Sequence, residues 1–172
     1  MASLMENLIT VLGSLCDEYE GLAGLSSKKA PVIVAGDLEE LSKITDEEQS
    51  VVSKINRLDH QRREVIHDIA NVVNRDVEDL KLAAIIQMLE PRPEEQQRLS
   101  EVYDRLGAAV RRVQQVNMQN KELLTSALEM VEFDMNILQA MKTAPETANY
   151  NKGAYSAGSV IGVDRNGFDA KQ

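Results

Sequence analysis

Few residues in this 172-residue chain have the type and spacing that chemistry needs. The two histidines, His60 and His67, stand seven residues apart. On a helix they share a face about two turns apart, whereas a metal ion on one helix takes histidines at i and i+4. Glu64 and Asp68 lie nearby, but no third ligand clusters with them, and solvated surface histidines are expected. Cys16 is the only cysteine. It cannot make an internal disulfide, and it reads as a small core-side hydrophobe in a reducing compartment. No glycine-rich phosphate loop, serine-centred elbow or paired-cysteine motif occurs. Carboxylates are many, but runs such as Asp46, Glu47 and Glu48 read as a solvated helix face. The expectation is therefore a protein that is not an enzyme, with no catalytic residue, no metal and no cofactor.

Composition narrows the remaining classes. The formal charge is −9, and an acidic chain without a basic stripe repels a phosphate backbone, so no nucleic-acid partner is expected. Hydrophobic residues make up 43% of the chain but aromatics only 3%, with no Trp. The core must then come from Leu, Ile, Val, Met and Ala, which favours helices packed on helices. The longest apolar runs, residues 30–35 and 83–86, are far too short to span a bilayer. The first residues lack a basic stretch followed by an apolar one. A cytoplasmic protein with no direct membrane insertion is expected.

Periodicity lays out the elements that must carry any functional surface. Leu4, Leu8, Val11, Leu15, Tyr19, Leu22 and Leu25 recur at steps of three and four, one face of a helix. Ser3 could cap its start, with Glu6 as a capping-box partner. Pro31 removes an amide donor and clashes with the carbonyl of Ser27, so a break or a kink follows there. A second stripe begins after Gly36 and Asp37 and reads Leu38, Leu41, Ile44, Val51, Ile55, Leu58, Val65, Ile69 and Val72. Its mean spacing of about 3.5 residues keeps a seam facing a partner helix. Glu48 and Arg62 fall on that seam, where their stems can lie on apolar surface while the charges reach water. The helix would be on the order of 57 Å long.

Asn74, Arg75 and Asp76 look like a turn, with Asp76 as a cap for a short helix over 77–90. Pro91 and Pro93 end that piece. Glu94 and Glu95 then suit the positive end of a new helix. Its stripe runs from Leu99 through Val102, Leu106, Val110, Val113, Asn117, Asn120, Leu124, Leu128, Val131, Met135 and Leu138 to Met141, roughly 70 Å if unbroken. The expected fold is all-α: an elongated antiparallel helical hairpin, or coiled-coil-like bundle of long helices, with a short intervening helix. It would occupy residues 1–144. The tail, 145–172, has no Leu, four glycines, three acidic and three basic residues. Such a segment cannot bury enough apolar surface to offset its ordering entropy, and a flexible, disordered tail is expected.

Two features ask for more than a hairpin. Asn117 and Asn120 interrupt an apolar seam. Either they are buried and fix register, or that part of the helix faces water. Beyond them, Leu123, Leu124, Leu128, Val131, Phe133, Met135, Ile137, Leu138 and Met141 spread over more than one stripe. Either this helix packs between two neighbours, or it offers a surface to another helical protein, with Met supplying adaptable contacts. Glu122, Glu129, Glu132 and Asp134 would rim that surface.

These stretches resemble the FlgN-type flagellar export chaperones. Gly36, Asp37, Leu38, Glu39, Glu40 and Leu41, followed by Thr45, Glu48 and Gln49, are similar to the family's glycine–aspartate–leucine start of a long helix. Residues 58–65, with Arg62 and Arg63, resemble its Leu-x-x-x-Arg stretch. Asn117, Asn120, Leu123, Leu124, Ala127 and Leu128 resemble its late-helix Asn/Leu segment. Asn149 through Gly153 look like the Tyr-x-x-Gly element that begins the family's tail. The chain departs from the family around residues 30–35, where Pro31, Val32, Ile33 and Val34 replace a charged helix.

The resemblance implies a bacterial cytoplasmic chaperone that holds the terminal helices of hook–filament junction proteins (hook-associated proteins) unassembled. It then delivers them to the cytoplasmic domain of the flagellar type III export gate, without hydrolysing ATP itself. Client binding would fall to Asn120, Leu123, Leu124, Leu128, Val131, Met135, Leu138 and Met141. Gate docking would fall to Tyr150, with Tyr155 as the spare. The rival reading is a coiled-coil scaffold that self-associates, and a homodimer belongs to either.

Overall fold

The computed structural model describes residues 2–77 and 80–143, and its regular structure there is entirely helical. The expected tail, with Tyr150 and Tyr155, lies outside the described residues. Five helices follow one another: α1 (Ala2–Ser27), α2 (Lys29–Ala35), α3 (Leu38–Val73), α4 (Leu82–Met88) and α5 (Pro93–Thr143). This is the all-α fold that the periodicity predicts, with two long helices and a short one between them. The chain divides into two units, Met1–Leu128 and Glu129–Gln172.

In the first unit, α1 supplies the centre of the core. Its expected stripe is buried at Leu8, Val11, Leu15 and Leu22, and Met5, Ile9, Leu12, Cys16 and Ala23 join it. A helix apolar on more than one side is buried between neighbours. Polar contacts give the directions of those neighbours. Glu18 pairs with Lys54 at 3.9 Å while Ser26 donates to Glu48, so α3 runs antiparallel to α1. Arg98 pairs with Glu6, Arg105 with Asp17 and Glu20, and Asn120 with Ser26, so α5 runs parallel to α1. Leu80, Ile85 and Leu89, from the α4 segment, fill the same core with Leu99 of α5.

The corners follow from local chemistry. Pro31 is the third residue of α2, where a helix lacks an internal acceptor for that amide in any case. Its ring opposes the carbonyl of Ser27, and α1 ends there, so the outcome is a break. The Ser27 hydroxyl donates to the Ala23 carbonyl at 2.7 Å, and the Lys28 amide bonds Leu25 at 3.0 Å. Gly36 closes α2 at φ +70°, a conformation that suits glycine. Asp37 then caps α3, its carboxylate accepting from the Glu40 amide at 3.0 Å. At the far end, Asn74 takes φ +53°, and the Arg75 amide bonds the Ala70 carbonyl at 3.1 Å.

Three expectations change. Ser3 lies within the first turn of α1 instead of capping it. The short helix begins at Leu82, with Lys81 at its cap position, so Asp76 is not its cap. The third change concerns Glu48, which sends its carboxylate inward. It pairs with Lys29 and accepts from the Ser26 hydroxyl, with only 13% of its side chain exposed. Lys29 sits at the start of α2 beside the seam, and pairing there offsets the cost of burying either charge. Arg62 pairs with Asp59 at 2.8 Å along its own helix.

Candidate functional site

The surface that could act lies on α5, and the helix changes character along its length. Its first part buries Leu99, Ala109 and Val113, and Leu99 and Val113 join the core. Two ionic clamps hold it to α1. Arg98 donates two hydrogen bonds of 2.8 Å to the Glu6 carboxylate. Arg105 bonds both Glu20 oxygens, at 2.9 and 2.7 Å, and Asp17 at 2.7 Å. The hydrogen bond from Arg98 holds the Glu6 carboxyl below its usual range, and that from Arg105 does the same for Glu20. Between them, the Cys16 thiol contacts the Val102 carbonyl at 3.6 Å, and burial pushes its pKa up. A buried, protonated thiol is a core group and not a nucleophile.

Asn117 and Asn120 part company. Asn117 is exposed. Asn120 is 6% exposed and donates its amide to the Ser26 carbonyl at 2.7 Å. Ser26 lies in the last turn of α1, where carbonyls lack intrahelical partners. The Asn120 amide supplies one partner, and the Ser26 hydroxyl reaches Glu48. Asn120 thus sits in a polar node joining α1, α2, α3 and α5, apart from the open surface expected for a client contact.

Past the node the helix opens to solvent. Leu123 is half-buried, Leu124 is 39% exposed and Leu128 is 68% exposed. In the second unit, residues 129–143 are exposed throughout. Seven large apolar side chains stand there: Met130, Val131, Phe133, Met135, Ile137, Leu138 and Met141, each 43% to 69% exposed. Of these, Val131, Met135, Leu138 and Met141 are the positions expected from the heptad seam. Met130 joins Phe133, Ile137 and Met141 as a further stripe, legible in steps of three, four and four. An exposed apolar surface of this kind is a candidate protein-binding face.

His60 pairs with Glu64 at 3.4 Å, and His67 with Asn71 at 3.1 Å. Among the described residues no group of three His, Cys, Asp or Glu could hold a metal ion. A cleft of about 580 Å³ is lined by Arg62, Arg63, Lys81 and Tyr103 over apolar Ile66 and Leu80, and another of about 670 Å³ by His60, Arg63, Glu64, His67, Asp68 and Val77. None of the described helices is long and apolar enough to cross a membrane.

The chain is similar to the uncharacterised protein YvyG of Bacillus subtilis (strain 168), at 26% identity over 144 residues, 84% of this chain and 83% of that protein. No solved structure gives a significant match. The family model described as FlgN protein matches residues 1–156, the whole helical region included. The chain therefore belongs to the FlgN family, the flagellar export chaperones.

Proposed function

We propose that this chaperone binds the amphipathic terminal helices of hook–filament junction proteins on the late part of α5. Members of the family bind flagellar hook-associated proteins in general. The observation that carries the reading is the row of exposed apolar residues from Leu124 to Met141. Terminal helices of an unassembled junction subunit carry an apolar stripe that must be covered until assembly. A chaperone helix covers it by the same side-chain packing that later joins subunit to subunit. The client contacts in this reading are Leu123, Leu124, Leu128, Val131, Met135, Leu138 and Met141. Asn120 supports them from within the fold. Affinity is moderate, because the client loses conformational freedom on binding and must later be released.

Residues 1–144 form the chaperone body and 145–172 a tail that docks on the cytoplasmic domain of the export gate. Tyr150 makes the main contact there and Tyr155 substitutes for it. The chain works in the bacterial cytoplasm. A tethered tyrosine adds a second weak contact whose effective concentration is set by the tail, without a new rigid interface. The test is titration calorimetry of purified hook-associated protein against Leu128→Asp. Binding should weaken at least tenfold with the helical circular dichroism retained, and undiminished affinity removes α5 as the client face. Tyr150→Ala should spare client binding and weaken gate binding.

One observation favours a second reading. Leu124, Leu128, Val131, Met135 and Leu138 keep the four–three spacing of a self-associating coiled coil. Sedimentation of the free chain distinguishes the two: a stable dimer that Leu128→Asp dissociates, together with no binding of junction protein, selects the scaffold.

A further inference from the structure

At about 100° per residue, the apolar side chains of residues 129–143 fall into two stripes. Val131, Met135 and Leu138 form one, and Met130, Phe133, Ile137 and Met141 form the other, centred about 120° around the helix. Together they cover more than about 200° of its circumference, twice the width of an ordinary one-sided amphipathic helix. Glu129, Glu132, Asn136 and Gln139 hold the remaining face, and Asp134 lies in the angle between the stripes. One partner helix, packing by ridges into grooves, covers one stripe and leaves the other in water. We propose that this segment is the middle member of a three-helix assembly, taking two client helices at once, one on each stripe.

The inference rests on the chaperone reading and specifies what its client must present. Charge says how the two helices are oriented. Residues 129–143 hold three carboxylates and one cation, Lys142. Asp134 faces the cleft where two bound helices would meet. Each client helix therefore carries Lys or Arg along the edge of its apolar stripe, turned toward Asp134, while Glu129 and Glu132 attract cations on the outer flank. An occupant with two basic-edged amphipathic helices fits this segment, and a single helix does not. The methionines, Met130, Met135 and Met141, let both stripes adapt to different side chains.

The test uses the full chain and two single changes on exposed positions, Met135→Asp in one stripe and Ile137→Asp in the other. The probes are the full-length hook-associated protein that the wild-type chain binds and synthetic peptides of its amino-terminal and carboxy-terminal helices. In calorimetry each variant should lose at least tenfold in affinity for the full-length client. The wild-type chain should bind both peptides together, and each variant should retain only one. Circular dichroism checks that the helix persists. If a variant loses helix, Met135→Ser and Ile137→Ser are read instead. Affinity within twofold of wild type for either variant overturns the two-stripe inference and leaves single-helix binding standing. So does a wild-type chain whose two peptides displace one another. A dimer of the free chain that either variant dissociates also overturns it, since one stripe then belongs to a second copy. A wild-type chain that binds neither client nor peptides overturns the chaperone reading itself.

Discussion

Asn120 shows how much one polar side chain can do inside an aliphatic seam. Its amide bonds a carbonyl in the last turn of α1, and the Ser26 hydroxyl passes the connection to Glu48 and Lys29. Asn120→Ala leaves that carbonyl buried without its donor, at a cost of about 1–3 kcal/mol. Urea denaturation should show a lower midpoint, while affinity for hook-associated protein stays within about twofold. A second expectation concerns the clamps at the surface. Glu6 and Glu20 have their carboxyls held below the ordinary value of 4.5 by Arg98 and Arg105. A depressed folded-state pKa contributes stability at neutral pH that is lost as pH falls through that pKa. The melting temperature should therefore fall below about pH 5. A Glu6→Gln, Glu20→Gln double variant should melt lower at pH 7 and show a shallower acid slope. An unchanged slope would assign the acid loss to other carboxylates.

At the scale of elements, two glycines have opposite tasks. Gly36 sits at φ +70° between α2 and α3, and the space around it is open. Gly36→Ala meets no atom, yet the left-handed backbone disfavours Cβ, at a cost of about 1–2 kcal/mol. Gly21 lies inside α1, and a Cβ there also meets nothing within 4 Å. Gly21→Ala should stabilise by about 0.5–1 kcal/mol, because alanine loses less backbone freedom in a helix. Thermal melts of the two variants should move in opposite directions. The corner at Gly36 and Asp37 was legible from the sequence because both residues act locally, one as a left-handed cap and the other as a side-chain cap. The true start of α4 was not legible. Its Lys81 cap position makes no side-chain bond, so no residue type announces it.

Among the described residues, the core and the proposed client surface separate. The core is built from residues between Met5 and Val113, and the large exposed apolar side chains concentrate late in α5. Removing residues 145–172 should leave the melting temperature within about 2 °C, since the core side chains of the described residues all lie between Met5 and Val113. The same truncation should abolish gate binding while client binding persists. A large drop in melting temperature would mean that the tail contributes to the fold. Charge separates too: the acidic excess lies before residue 145, and three acidic residues balance three basic ones after it.

The sequence by itself determined the helical class, an interruption at Pro31, the start of a long helix after Gly36 and Asp37, a further helix opening around Glu94 and Glu95, and the apolar character of its far end, whereas the structure decided that the interruption is a break. All of these depend on nearest neighbours along the chain: spacing, caps, and prolines that cannot donate an amide. Only the tertiary structure decided which polar residues on the seams face inward. Periodicity placed Glu48, Asn117 and Asn120 on apolar stripes without distinguishing them. Asn120 is buried because Ser26, 94 residues away, offers it a carbonyl. Glu48 turns inward because Lys29 and Ser26 meet it there, whereas Asn117 stays in water. Partners that distant in sequence are brought together by folding, and a one-dimensional pattern has no term for them.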